Sequence, residues 1–189
     1  MEIFTEHLFS WSILTLILAY LVYTSIVIKE ENLSYIENAK QINLQNYSFL
    51  VPSWWKNNKK TEDELTFIRS DQNYDWKSFF KIYEFNDEDL LEFYAERLKE
   101  LTIFLDEKDS IVLDDQHLRY KFKNISPNKI VHIESMGTEN SERRIYLSSY
   151  IIQIENKIIL ANSLSSVLNG MLEGPYFEQV VYSLEKIKN

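Results

Sequence analysis

The chain contains no cysteine and only three residues each of glycine, proline and histidine. The missing cysteine removes disulfides, thiolate metal sites and a cysteine nucleophile together, and it is compatible with either side of a membrane. Glycine stands only at positions 137, 170 and 174. No loop therefore carries the spacing that cradles phosphates in a dinucleotide or nucleoside-triphosphate site, and no Gly-x-Ser-x-Gly elbow exists. His7, His117 and His132 are too scattered for a zinc site, and His-Glu-x-x-His is absent. Asp114, Asp115 and His117 come nearest to a ligand cluster, but in a turn before a strand they read better as solvated loop residues. Basic residues are also scarce, 20 Lys and Arg against 29 Asp and Glu, a formal charge of -9 that repels nucleic-acid backbones. The expectation is no catalytic residue, no metal, no cofactor and no nucleic-acid partner. A carboxylate pair for sugar hydrolysis could be drawn from so many acids that the abundance itself carries no signal.

What the chain has is one long hydrophobic run. Leu8 to Ile28 is free of charge, and at 1.5 Å per residue such a helix spans about 30 Å, the thickness of a bilayer's hydrocarbon core. Ser10, Ser12, Thr15, Thr24 and Ser25 can return their hydroxyls to helix carbonyls, and Trp11, Tyr20 and Tyr23 suit the interfaces. Glu2 and Glu6 replace the basic start of a signal peptide, and no Ala-x-Ala-like site follows, so the run is expected to remain as an anchor. Lys29 and Lys40 are the only nearby cations. They favour a cytoplasmic domain weakly, diluted by Glu30, Glu31 and Glu37.

Residues 30–46 read as a juxtamembrane helix or spacer, and residues 47–189 as one soluble domain. With 12 Tyr, 11 Phe and 4 Trp the chain is too rich in core-forming side chains to stay disordered. Tyr47, Phe49 and Val51 alternate up to Pro52 as a first strand, and 65–69 and 79–85 follow as a meander, with a turn around Asp71, Asn73 and Asp75. Asn86 is placed to cap a helix whose first turn holds Asp87, Glu88 and Asp89, and whose apolar stripe is Leu90, Tyr94, Leu98, Leu101 and Leu105. Leu118, Tyr120 and Phe122 alternate with Arg119, Lys121 and Lys123, which predicts a strand with three cations on one face. Residues 130–134 predict another. Residues 145–154 are apolar on both parities, as a strand covered on both sides would be. Glu155, Asn156 and Lys157 predict a hairpin turn, with Asn156 supplying positive φ, into 158–160. Gly174 and Pro175 are read as opening a last helix with Phe177, Val180, Val181, Leu184 and Ile187 packed and Lys186 and Lys188 near its end. The fold class expected is α+β: a mostly antiparallel sheet of six to seven strands between two main helices, an α/β/α sandwich, preceded by one transmembrane helix.

The strand closing on Tyr47, Phe49, Val51 and Pro52 with Trp55 beyond it, and the helix residues Phe177, Val180, Val181, Tyr182 and Ser183, resemble a known family. It is the PsbP-like fold, shared by photosystem extrinsic subunits, a Ran-binding nuclear import factor, bacterial DcrB-like lipoproteins and secretion chaperones. The resemblance covers about residues 42 to 188. It implies a noncatalytic, protein-binding or accessory role, and a position outside the cytoplasm for many bacterial members. The DcrB-like lipid-attachment cysteine is missing, so the hydrophobic helix would replace the lipid.

Two surfaces stand out as possible interaction sites. One is Trp54 and Trp55 with Lys56, Lys59 and Lys60, suited to a bilayer interface or a partner. The other is a basic stripe of Arg119, Lys121 and Lys123, with Arg143 and Arg144 nearby. It would dock an acidic partner or lipid headgroups, or simply discourage edge pairing. The functional expectation is a single-pass, noncatalytic interaction module, an accessory subunit of a membrane or envelope complex. Its partners would be the bilayer through Leu8 to Ile28 and another membrane or envelope protein. The alternatives are a carrier shielding hydrophobic client segments, and an enzyme of unrecognised class centred on His117 and His132.

Overall fold

A computed structural model describes residues 2–69, 75–86, 89–106, 108, 110–113 and 117–187, with side chains described except at 2–9 and 168. The chain divides into two units, Met1–Ala39 and Lys40–Asn189.

The first unit is one helix, α1 (Glu2–Asn38). It continues ten residues past Ile28 into the polar stretch 30–46 read as helix or spacer, whose second half is instead a strand, Lys40–Leu44. Ser10–Asn38 contains a window long and apolar enough to cross a membrane, and none of that window is buried. Its hydroxyls behave as the sequence predicts: Thr15 Oγ1 donates to the Trp11 carbonyl at 2.8 Å, and Thr24 and Ser25 donate to that of Leu21 at 3.0 and 2.7 Å. Each satisfied hydroxyl removes a polar group that lipid could not solvate.

The second unit is built from β1 (Lys40–Leu44), β2 (Tyr47–Val51), β3 (Trp55–Lys60), β4 (Glu64–Arg69), β5 (Trp76–Glu84), α2 (Leu90–Glu100), β6 (Ile103–Leu105), β7 (Ile111–Leu113), β8 (Lys129–Glu139), β9 (Arg143–Ile154), β10 (Lys157–Ser165), α3 (Val167–Tyr182) and β11 (Glu185–Lys186). The large antiparallel sheet runs β3-β4-β5-β10-β9-β8-β6, with β7 also on β8; a small sheet runs β1-β2-β11. This is the α+β sandwich expected, with the small sheet in addition.

Two cores result. Against α2 the sheet buries Leu90, Phe93, Tyr94 and Leu98 with Leu147, Ile151, Leu160 and Leu164. On the opposite face an aromatic layer forms, in which Phe80 lies 4.8 Å from Phe49 and 5.8 Å from Phe177, and Trp55 lies 4.4 Å from Trp76. The central β9 and β10 are buried on both parities, as the doubly apolar pattern of 145–154 predicts.

The structure corrects four local expectations. Leu118 to Phe122 is not a strand: Arg119–Lys121 is a 3-10 turn. Leu118 and Phe122 are buried, while Tyr120 is 74% exposed. Residues four apart share a side in a helical turn as well as in a strand, so only Tyr120 separates the two readings. The cap of α2 is Asp89, whose carboxylate accepts from Leu91 N at 2.8 Å and Glu92 N at 3.2 Å. Asn86 cannot serve, because Phe85 N still donates to the Asn156 carbonyl and holds the chain to the sheet; Asp87 and Glu88 lie outside the described residues. Positive φ at the β9-β10 turn is carried by Glu155 and not Asn156. Finally, α3 starts at Val167, with Pro175 inside it, and stops at Tyr182. Leu184 is buried beyond the helix, and Glu185–Lys186 joins the small sheet beside Tyr47 and Ser48. Lys186 therefore pairs with Glu155 rather than with the end of the helix; Lys188, like Asp71 and Asn73, lies outside the described residues.

Candidate functional site

The face of the sheet under α3 is unusually polar for an interior. Register places Ser78 of β5, Ser163 of β10, Ser148 of β9 and Glu134 of β8 in one row across four strands. These small side chains leave room where the helix crosses. At Gly170 a Cβ would lie 2.6 Å from the Tyr146 ring and 2.8 Å from Ser165 Oγ, so only glycine lets α3 approach this closely.

The neighbouring row carries His132 and Tyr150, whose rings stack at 4.0 Å and 9°. His132 Nε2 meets Ser148 Oγ at 3.0 Å. Burial drives this imidazole down to about 4, with the nearby Lys121 charge acting in the same direction. The Glu134 carboxylate is 3.6 Å from Nε2, but its side chain is 37% exposed. Water screens that attraction, and burial prevails.

From Tyr150 a directed chain of donors runs outward. Lys121 Nζ donates to Tyr182 Oη at 3.1 Å, the two tyrosine hydroxyls lie 2.8 Å apart, and Tyr150 Oη donates to Glu178 Oε1 at 2.9 Å. Because the Tyr150 proton is committed to the carboxylate, Tyr182 must be the donor between the two rings. Burial raises both phenols first of all, and the hydrogen bond to Tyr182 raises Lys121. On the other flank Tyr146 bonds to Glu134 and is likewise raised, mainly by burial. Between them lies a cleft of about 250 Å³, walled by Glu134, Tyr146, Ser148 and Ser163 on the sheet and by Gly170, Met171, Gly174, Pro175 and Glu178 on α3.

A second buried cluster pins α3 to the sheet edge. Glu173 is fully buried, accepts from Trp55 Nε1 at 2.8 Å and pairs with Arg69.

The sequence-predicted surfaces fare differently. Trp55 is buried in the aromatic layer, and Trp54 is half-buried, edge-on to Tyr176 at 5.1 Å. Lys56, Lys59 and Lys60 are exposed along the edge strand β3, with Lys59 paired to Glu64 at 3.1 Å. The basic stripe is not assembled. Arg119 donates to the Asn128 carbonyl and Lys121 is spent on Tyr182, both near the β8 start. Arg143 pairs with Glu139 and Asp75, and Arg144 with Asp106, at the β9 start. Antiparallel pairing puts those two starts at opposite ends of the hairpin, roughly 35 Å apart at strand rise. Lys123 is exposed. His117 is exposed whereas His132 is 2% exposed, and Asp114 and Asp115 lie outside the described residues. No group of three metal-ligating side chains occurs among the described residues.

Sequence reasoning missed Glu134, Tyr146, Tyr150, Glu178 and Tyr182 as one site. The available signal was serine and asparagine recurring at 148, 149, 162, 163 and 165 within strands that are otherwise apolar on both parities.

No family model and no curated protein matches the chain. Solved structures do resemble it. A Bacteroides thetaiotaomicron protein aligns at TM-score 0.51 and 14% identity over 80% of this chain and 49% of its own, so the chain spans about half of that protein's length. The cyanobacterial PsbP of Synechocystis sp. PCC 6803, CyanoP, aligns at TM-score 0.52 and 10% identity over 78% and 91%. LpqN, involved in cell envelope biogenesis of Mycobacterium tuberculosis, aligns at TM-score 0.52 and 8% identity over 80% and 86%. At such identities the likeness is one of fold, and the fold is PsbP-like.

Proposed function

We propose that this protein is a noncatalytic interaction module held at a bilayer by one helix, working as an accessory subunit of a membrane or envelope complex. The observation that carries the reading is α1: an apolar window with no buried residue, attached to a second unit that fills its own core. Exposed apolar surface of that length is stable in lipid and costly in water. In this reading Leu8 to Ile28 crosses the membrane, residues 30–46 lead out of it and contribute the first strand, and residues 47–189 present the binding surface. The interior ionisable groups agree with a noncatalytic role. His132 is driven to about 4 and the tyrosines upward, away from the neutral range in which a general acid or base works best. LpqN's part in envelope biogenesis and the PsbP-like fold support a domain on the extracytoplasmic side.

Purification of the tagged full-length chain from its native membrane in mild detergent tests this. A second protein in stoichiometric amount is expected, and repeated recovery of the chain alone would refute it. Added protease in intact cells should digest the domain; protection would reverse the orientation. One observation favours a carrier as the second reading. A cleft of about 210 Å³ beside α2 has an apolar floor of Phe79, Tyr83, Leu101, Ile103 and Leu164. Binding of apolar peptides that Leu164→Glu abolishes would select that role.

A further inference from the structure

The large sheet ends in two edges of opposite character. At one, β3 holds Lys56, Lys59 and Lys60 exposed, and its register with β4 shifts between Asn57 and Lys59. Exposed lysines and a bulge are devices that keep a foreign strand from adding to an edge. At the other, β6 and β7 are the outer neighbours of β8. β6 keeps Ile103 and Leu105 packed into the α2 core. β7 is the run Ile111, Val112 and Leu113, without charge, proline or register shift, and among the described residues it pairs with β8 alone. One edge is defended and the other is open.

Ile111, Val112 and Leu113 are 57%, 53% and 43% exposed. Register sets Ile111 opposite Glu134 and Leu113 opposite His132, on the face that α3 crosses, and Val112 opposite Ile133 on the α2 face. Both faces of this strand therefore stand in solvent, uncovered by either helix. Phe104 of β6, opposite Thr138, adds a 53% exposed ring on the α3 face of the same edge. Along a strand the backbone groups of successive residues point to alternate edges, so at least one residue of β7 turns its N–H and C=O away from β8. Water serves those groups but not the apolar side chains around them, whereas a strand laid alongside serves both.

The charges along the chain around β7 select the kind of strand. Asp106 to Asp115 holds five acids and one lysine, and of those acids Asp106 is paired with Arg144. An antiparallel second copy centred on Val112 would bring the segment after Leu113, which opens with Asp114 and Asp115, against the segment before Ile111, which holds Asp109. Like charges directly opposed are destabilising, so the edge is poorly matched to itself. A strand with cations at both ends is matched at both ends. We propose that β7 is the docking edge for an extended segment of the protein partner, apolar where it lies beside Ile111 and Leu113 and flanked by lysine or arginine. Backbone hydrogen bonds hold such a segment, and the flanking charges set which one adds. The proposal rests on the reading of the domain as an interaction module and names the element that makes the contact.

The test is calorimetric titration of the full-length protein in phosphatidylcholine nanodiscs. The probes are a short synthetic peptide in which valine and threonine alternate between terminal arginines, its glutamate-ended counterpart, and two forms of the arginine peptide N-methylated at alternate backbone nitrogens, one for each edge. The arginine-ended peptide should bind about ten-fold more tightly than the glutamate-ended one. One N-methylated form should lose binding and the other keep it, because an added strand pairs through a single edge. Val112→Lys should weaken binding about ten-fold or more and leave the melting temperature unchanged, since the side chain is exposed. Equal binding of both N-methylated forms, or indifference to Val112→Lys, overturns the docking edge, and equal binding of the arginine and glutamate peptides overturns the basic partner. A dimer in sedimentation that Val112→Lys disperses assigns the edge to a second copy and likewise overturns the partner. A co-purified protein that survives Val112→Lys keeps the module and removes the edge, whereas peptide binding without any co-purified protein keeps the edge and removes the module.

Discussion

Lowering the pH should destabilise the domain through His132 in a window that the structure defines. The ring is 2% exposed and stacked on Tyr150, and burial takes it from an ordinary value of 6.5 to about 4. The unfolded chain binds this proton as pH falls through the ordinary value, whereas the folded chain accepts it only near the depressed one. Stability from the neutral imidazole is therefore complete above about 6.5 and is lost progressively down to about 4. At about 1.36 kcal/mol per tenfold change in proton affinity, the fall from 6.5 to about 4 corresponds to about 3 kcal/mol. His132→Phe keeps a ring on Tyr150 and removes the proton site. Its loss of the contact to Ser148 is independent of pH. Denaturant unfolding of both full-length proteins, followed by near-UV circular dichroism at a series of pH values, isolates the effect from that of the carboxylates. The wild-type minus variant difference should be flat above neutrality and fall by about 3 kcal/mol toward acid. A difference that stays constant across the range would refute the reasoning, since the imidazole would then be charged inside the fold at little cost.

Other outcomes follow from single contacts. Gly170→Ala should destabilise the domain by about 1 to 3 kcal/mol through overpacking against Tyr146. A lowered denaturation midpoint is the check. Glu173→Ala should cost about 3 kcal/mol or more, since it leaves the buried Trp55 indole without its acceptor and takes the carboxylate from Arg69. Glu173→Gln keeps an acceptor and should lose less, measured by the same unfolding curves. Leu18→Arg places a charge in the middle of the apolar window at about 2.5 to 3.5 kcal/mol, and should shift the protein from the carbonate-resistant membrane pellet toward the soluble fraction. Unchanged partition would argue against α1 as a span.

Some of this architecture is a matter of local pattern and was legible in the chain. Leu8 to Ile28 carries no charge and must be removed from water whatever surrounds it. The alternation of Tyr47, Phe49 and Val51, the doubly apolar 145–154 and the first three members of the stripe, Leu90, Tyr94 and Leu98, each identify their element, because period decides which side is covered, whereas Leu101 is the exposed cap of α2 and Leu105 belongs to β6. Where two periods coincide, pattern fails: Leu118 and Phe122 satisfy a strand and a helical turn equally, and only packing chose the turn. Pro175 reads locally as a beginning, yet tertiary contact on both sides of it carries α3 through.

The candidate site was decided entirely by three-dimensional arrangement. Ser78, Glu134, Ser148 and Ser163 come from four strands, Glu178 from a helix and Lys121 from an isolated turn. Nothing in their spacing joins them. Antiparallel register sets the serines side by side, and Gly170 brings Glu178 down upon them. Sequence alone determined that one segment belongs in lipid and that the rest condenses into a sheet with helices, since burial and periodicity are properties of neighbours along the chain. The tertiary structure decided which polar groups meet in the interior, because hydrogen bonds and charges act through space between residues that the sequence holds far apart.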